Sequence, residues 1–173
     1  QGKSALVIPF IRRSQFASEI TSFDLSNLLS FMESGYTLVL LGSYYADLFL
    51  NRIFGFGVTY RSMISVSRRN KSTNSSVFSP LDVDILPAPP TSTYTLTDLP
   101  IGSITAYSLS RYATLVSIPI GQGFLHYIAY SYRQFPSAIY QDALLLAAAS
   151  NEAKPFNIST TARPTNFPTS RPT

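Results

Sequence analysis

The chain has 173 residues, 45 % of them hydrophobic and only 13 % charged, with a formal net charge of +4. This length suits one domain plus an appendage and is short for two, while the hydrophobic share excludes a disordered polyelectrolyte. Where a surface would ordinarily carry Lys and Glu stand 25 Ser and 15 Thr, which excludes a coiled coil as well. Cysteine is absent, so disulfides, thiolate nucleophiles and sulfur-ligated zinc are removed. No apolar run approaches the roughly 18 residues of a membrane span; the longest, Ala143 to Ala149, is helix-sized. The basic residues are ten Arg and three Lys. Their one tight cluster, Arg68, Arg69 and Lys71, has no glycine-aromatic signature beside it and reads as a solvated loop rather than a nucleic-acid surface.

The first residue is Gln, with no basic segment leading into an apolar stretch, and the chain reads as processed or excised. Ala5 to Phe10 is a short apolar run of the kind buried on both faces of a sheet, a central strand. Ser22 is placed to cap a helix whose Leu25, Leu28, Leu29 and Met32 follow helical spacing, and Gly35 is placed to end it. Tyr36 to Leu41 is a second buried strand. The turn Gly42-Ser43 leads into a helix over Tyr44 to Phe54, with Tyr45, Leu48, Phe49 and Ile53 in one stripe before Gly55. Val58 to Val66 restores strand character, so strand, helix and strand predict a right-handed βαβ crossover and a parallel sheet.

Residues 68 to 100 carry two Ser/Thr clusters and, around a brief apolar stretch, Pro87, Pro89, Pro90 and Pro100, and are expected to form an irregular surface insertion. Tyr112 to Ile120 and Phe124 to Tyr130 are strand-like, joined by Gly121-Gln122-Gly123 as a hairpin. A closing helix covers Ala138 to Ala149. From residue 155 the character changes. Ala-Arg-Pro-Thr, Asn-Phe-Pro-Thr and Ser-Arg-Pro-Thr follow one another over 162–173, with proline every fourth residue. That period blocks helix and ladder and favours an extended polyproline-like spacer. The expected division is therefore a domain over 1–154 and a Pro/Thr-rich linker over 155–173.

Three Asn-x-Ser acceptor sites occur, at Asn70, Asn74 and Asn157, the first two within one hydroxyl-rich loop. Thr165, Thr169 and Thr173 each follow proline, the composition of O-glycosylated stalks. These residues point to a secreted or cell-surface protein bearing covalent glycans. The tail resembles, by composition, the Pro-Thr repeats of algal and other protist surface proteins.

The order of pieces, with a helix ending in Ser34-Gly35-Tyr36, the strand Thr37-Leu38-Val39-Leu40-Leu41-Gly42 and the late hairpin around Gly121-Gln122-Gly123, resembles the class I glutamine-amidotransferase-like superfamily, and within it the divergent non-enzymatic extracellular members. The resemblance covers roughly Ala5 to Ser150. It implies an α/β fold: a three-layer α/β/α, mostly parallel, flavodoxin-like sheet with a C-terminal hairpin. In that superfamily the turn after this strand carries a catalytic Cys, and a late His-x-Glu supplies the base. Here the turn reads Gly42-Ser43-Tyr44-Tyr45-Ala46. The family's usual leading strand and helix are also missing ahead of Ala5, which implies a truncated or rearranged sheet.

Ser43 occupies the nucleophile's position, yet its surroundings are not Gly-x-Ser-x-Gly, and acyl transfer needs a base. The single histidine, His126, lies by alternation on one sheet face with Phe124, Ile128 and Tyr130, which favours a packed histidine. Asp82 and Asp84 share a face by period two, too few ligands for a metal site. Gly121 and Gly123 lack a following helix and make a turn rather than a phosphate cradle. Tyr44 and Tyr45 cannot both face inward on one helix, so one of them, with Ser43, is left for a ligand or partner. The resulting expectation is a non-enzymatic structural or adhesive domain that associates with itself, with no cofactor, metal, nucleic acid or membrane span. The alternatives are a hydrolase or carbohydrate-processing domain built on Ser43 or the Asp82/Asp84 carboxylates, and a small-molecule binding domain.

Overall fold

A computed structural model describes residues 5–62, 68–71, 76–89, 92–132 and 137–150. The chain begins with β1 (Ala5–Ile8), α1 (Gln15–Glu19), α2 (Ser22–Glu33), β2 (Thr37–Leu41) and α3 (Ala46–Phe54). Then come β3 (Thr59–Ser62), β4 (Arg68–Lys71), β5 (Ile85–Pro87), β6 (Tyr94–Thr97), β7 (Ile104–Leu109), β8 (Tyr112–Ile120), β9 (Gly123–Ile128) and α4 (Ala138–Ala149).

Local chemistry sets the helix ends. Thr21, rather than Ser22, caps α2: its hydroxyl accepts from the Asp24 amide at 3.2 Å, and the Asp24 carboxylate accepts from the Thr21 amide at 3.0 Å. The Thr21 hydroxyl also donates to that carboxylate at 2.6 Å, and this bond first, with the amide second, holds the Asp24 carboxyl below its ordinary range. Gly35 and Gly55 follow α2 and α3 at φ 84° and 66°, left-handed positions that glycine adopts without strain.

The sheet differs from the expected one. β1 pairs parallel with β2, and β2 parallel with β9. Every other pairing, β3 with β6, β4 with β5 and β7, β6 with β8, β7 with β8 and β8 with β9, is antiparallel. The fold is thus a mixed sheet with few helices, and not a three-layer α/β/α, mostly parallel, flavodoxin-like arrangement. The physical reason lies after α3. The place beside β2 is filled by β9, so β3 pairs with β6 instead of completing the expected parallel βαβ unit. The parallel crossover that does form is β1 through α1 and α2 to β2, with Ala5 opposite Thr37.

Two further expectations are corrected. The run at Ala5 is an edge strand, not a central one, and leaves Leu6 and Val7 exposed. The region expected as an irregular insertion supplies three strands and the buried Phe78, Leu81 and Leu86. Its strands escape an apolar pattern because β4 is basic and β6 is rich in threonine. Thr95 and Thr97 are nevertheless buried, and their hydroxyls are bonded to the Arg61 carbonyl at 2.7 Å and the Asp98 carboxylate at 2.8 Å.

The core divides across the sheet. On one side Leu38, Leu40, Leu125 and Tyr127 pack with Phe49, Leu50 and Ile53 of α3 and Met32 of α2. On the other, Val39, Leu41, Leu115 and Ile128 pack with Tyr140, Ala143 and Ala147 of α4 and with Phe78, Leu81 and Leu86. β8 and β9 join through Gly121 and Gln122, where Gly123 pairs with Ile120. A Cβ on Gly123 would lie 2.2 Å from the Tyr36 carbonyl oxygen, so only glycine permits that approach. Among the described residues no helix is long and apolar enough to cross a membrane.

Candidate functional site

The carboxyl ends of parallel strands are where α/β sheets ordinarily place ligands. Here that end is formed by β1, β2 and β9, and its centre is the turn from β2 into α3. The Gly42 amide donates to the Ile128 carbonyl at 2.7 Å, continuing the parallel ladder one residue past β2. A Cβ on Gly42 would stand 2.0 Å from the Ala129 carbonyl oxygen, so the turn presses backbone to backbone. β9 continues as residues 129–131, and residues 92–94 lie along it: the Tyr94 amide donates to the Ala129 carbonyl at 2.8 Å, and the Ser131 amide to the Ser92 carbonyl at 2.9 Å.

Ser43 sits beneath this cover. It is fully buried, and its hydroxyl has no hydrogen-bond partner among the described residues. The same holds for the hydroxyls of Ser92, Thr93 and Thr114, whose backbones adjoin or bond residues 129–131. Unbonded buried hydroxyls retain their desolvation cost.

Tyr44, the next residue, is 49 % exposed, whereas Tyr45 packs against the core as the N-cap of α3. Tyr44 belongs to a cluster of four rings. Its centroid lies 4.8 Å from Tyr94, 5.9 Å from Tyr60 and 6.2 Å from Phe10, each in edge-to-face geometry. Asp47 ties α3 to this cluster, one carboxylate oxygen accepting from the Leu48 amide at 2.8 Å and the other from the Tyr60 amide at 3.1 Å. Below the rings Tyr127 donates its hydroxyl to the Tyr94 carbonyl. Burial first, and the nearby Asp47 carboxylate second, raise the Tyr127 phenol well above its ordinary range, so it stays a protonated donor. Phe10 also borders a hollow of about 320 Å³ whose charged lining is Arg12, Arg13 and Glu19.

His126 belongs to a different place. It is 2 % exposed, stacks on Phe124 at 5.8 Å and meets Phe78 edge-on at 5.8 Å. Its Nδ1 lies 2.9 Å from the Ser117 hydroxyl and its Nε2 2.9 Å from that of Ser150. The Ser150 hydroxyl gives its proton to the Ala147 carbonyl at 2.8 Å. His126 therefore carries its proton on Nε2, donates to Ser150, and accepts from Ser117 through Nδ1. Burial lowers the imidazole from 6.5 to about 4. Val39 faces His126 across the ladder, and Ser43 lies four residues beyond Val39, ~13 Å along the strand direction. Both nitrogens are occupied and the separation is large, so Ser43 and His126 form no nucleophile and base pair.

Asp82 and Asp84 precede β5 and are both exposed in irregular chain, so the strand-face pairing expected for them does not form. Among the described residues no group of three His, Cys, Asp or Glu is placed to hold a metal. The backbone of Asn70 is in β4, paired with Ile85 on one side and Ser108 on the other, instead of in the expected loop. Asn74, Asn157, Thr165, Thr169 and Thr173 lie outside the described residues. The partners of His126 were not legible in the sequence, since Ser117 and Ser150 follow no spacing rule relative to it. Tyr60 and Tyr94 were missed because the strands that bring them to Tyr44 were not recognised as partners.

No family model matches this chain, and no curated protein does. Among solved structures it is similar to the cytoplasmic protein STM1381 from Salmonella typhimurium LT2, at a TM-score of 0.59 and 13 % identity over 76 % of this chain. The chain spans 62 % of the length of that protein. It also aligns with the cytoplasmic protein STM3548 from Salmonella typhimurium, at a TM-score of 0.48 and 12 % identity, covering 83 % of this chain and 69 % of that one. A third alignment is to the exo-beta-1,4-mannosidase Op5Man5 from Opitutaceae bacterium strain TAV5, at 0.47 and 15 %, covering 85 % of this chain and 25 % of that one. At these identities the likeness to STM1381 is one of fold alone.

Proposed function

We propose that this chain is a non-enzymatic, extracellular structural or adhesive domain, a divergent relative of the amidotransferase-like domains, that associates with copies of itself. The observation that carries this reading is the turn after β2. Its Ser43 hydroxyl is buried without a partner, His126 is committed to Ser117 and Ser150, and the residue presented to solvent is Tyr44. A tyrosine edge backed by packed rings suits contact with a surface better than bond cleavage. Support for self-association comes from edge strand β1, which pairs with β2 alone among the described residues and exposes Leu6 and Val7. Support for an extracellular setting rests on the acceptor sites Asn70, Asn74 and Asn157 and on Thr165, Thr169 and Thr173 in the Pro/Thr segment.

Two measurements test the proposal together. Incubation with glutamine and with an activated ester is expected to give background turnover, identical in Ser43→Ala; a burst lost in that variant would reassign the domain as an enzyme. Sedimentation of the full chain is expected to show concentration-dependent association, and a monomer throughout would remove the structural role.

A further inference from the structure

Away from the turn, α4 and the segment before β5 enclose an open groove of about 570 Å³. Its floor is apolar, with Leu81, Val83, Ile139 and Leu145 among its walls, and its two charged residues, Asp82 and Asp142, are both acidic. Leu145 is 67 % exposed, a large apolar side chain left uncovered on a helix. The chain as a whole is basic, +4, so an acidic groove runs against its average charge. Both acidic residues are exposed to solvent, and the Lys71 ammonium donates to the carbonyls of Ser79 and Leu81 at 3.1 and 2.7 Å.

We infer that this groove docks an Arg-Pro-Thr unit from the Pro/Thr segment of a second copy of the chain. The inference rests on the self-associating reading above and names its contact. Three observations support it. The first is charge: residues 151–173 contain Lys154, Arg163 and Arg171 against Glu152 alone, and an arginine pairs with a carboxylate in a two-pronged geometry. The second is composition. Proline and the threonine methyl offer apolar surface with few rotamers to freeze, which suits a shallow apolar floor. The third is length. The groove follows α4 from Ile139 to Ala149, ten residues at ~1.5 Å each or ~15 Å. An extended polyproline-like chain crosses that span with about five residues at ~3.1 Å each. Arg163 and Arg171 are eight residues apart in the sequence, more than the about five that such a groove accommodates, so one groove takes one unit and leaves the other for a further copy. A segment with more units than its groove can hold links molecules, and a contact of that head-to-tail kind propagates.

Charge exchange in the full chain provides the test. Asp82→Lys with Asp142→Lys makes groove and segment both basic; Arg163→Glu with Arg171→Glu makes both acidic. Each doubly substituted chain is expected to associate at least about tenfold more weakly than the native chain, and an equimolar mixture of the two is expected to recover association. Leu145→Glu, a change at an exposed site, is expected to weaken association without lowering the melting temperature. If the native chain associates and all three variants associate equally well, the groove assignment is overturned while self-association stands. If the native chain is monomeric, or if each variant weakens but the mixture does not recover, the second-copy contact is overturned.

Discussion

His126 makes the fold sensitive to mild acid. Its imidazole is neutral in the folded chain, with a value lowered to about 4 by burial, against 6.5 when exposed. The unfolded state thus binds a proton that the folded state refuses. The stabilisation is fully present above pH ~6.5 and is lost as pH falls toward ~4. The lowering of ~2.5 units corresponds to about 3 kcal/mol over the whole window, of which about 2 kcal/mol is already lost at pH 5. For a domain of this size that corresponds to roughly 4 to 8 °C in Tm. The structural cause is specific: a proton added at Nδ1 meets the Ser117 hydroxyl that had been donating to it, while Phe124 and Phe78 exclude water.

Thermal melts at pH 7.5, 6 and 5 measure the effect. His126 is the only histidine, so between pH 7 and pH 5.5 it is the one side chain with an ordinary value in the window. His126→Phe keeps an aromatic ring in the stack and removes the titration. It is expected to be less stable at pH 7.5, because Ser117 and Ser150 lose a partner, and to show a flat Tm over the same range. A flat wild-type Tm, or a slope retained in the variant, would refute the assignment of His126 as the acid-labile latch.

Two substitutions at the β2 turn test the packing there. Gly42→Ala drives a methyl to within 2.0 Å of the Ala129 carbonyl oxygen and is expected to cost about 3 kcal/mol or more, read by urea unfolding; a change below about 1 kcal/mol would mean that the two backbones separate easily. Ser43→Ala deletes a buried hydroxyl that has no partner and is expected to leave stability unchanged or raise it by about 1 kcal/mol, whereas a clear loss in the same assay would show that the hydroxyl is bonded.

The sequence made some of this fold legible because certain signals are local. α2, α3 and α4 announce themselves through helical spacing, Gly35, Gly55 and an uninterrupted apolar stretch, although the cap of α2 is Thr21 and not the expected Ser22, and the Gly121-Gln122 turn marks the β8–β9 hairpin. Pairing is not local. A four-residue apolar run reads the same at an edge as at the centre, so Ala5 to Ile8 was legible as a strand but its position was not. β4 and β6 were hidden for chemical reasons. Arg68, Arg69 and Lys71 carry charge, and the buried Thr95 of β6 finds the acceptor for its hydroxyl in Arg61, far along the chain. The candidate site followed the same rule: the strand-to-helix turn was legible, and with it that one of Tyr44 and Tyr45 faces outward, whereas the burial of Ser43, expected to be open to a ligand or partner, depends on residues 92–94 and 129–131.

That cover explains why the turn buries its serine and exposes a tyrosine. A nucleophile at the carboxyl end of a parallel strand needs open space ahead of it. In this chain β9 continues beyond the end of β2, and residues 92–94 pair along the extension, so the space over Ser43 is filled by backbone. The strand that fills it brings Tyr94, and β3, paired to that strand, brings Tyr60. Both rings close on Tyr44 and hold it at the rim. The antiparallel region that departs from a parallel sheet is therefore also what buries the serine and presents the tyrosine. An exposed aromatic rim at this end follows from the topology, and the Tyr44 ring is its most accessible part.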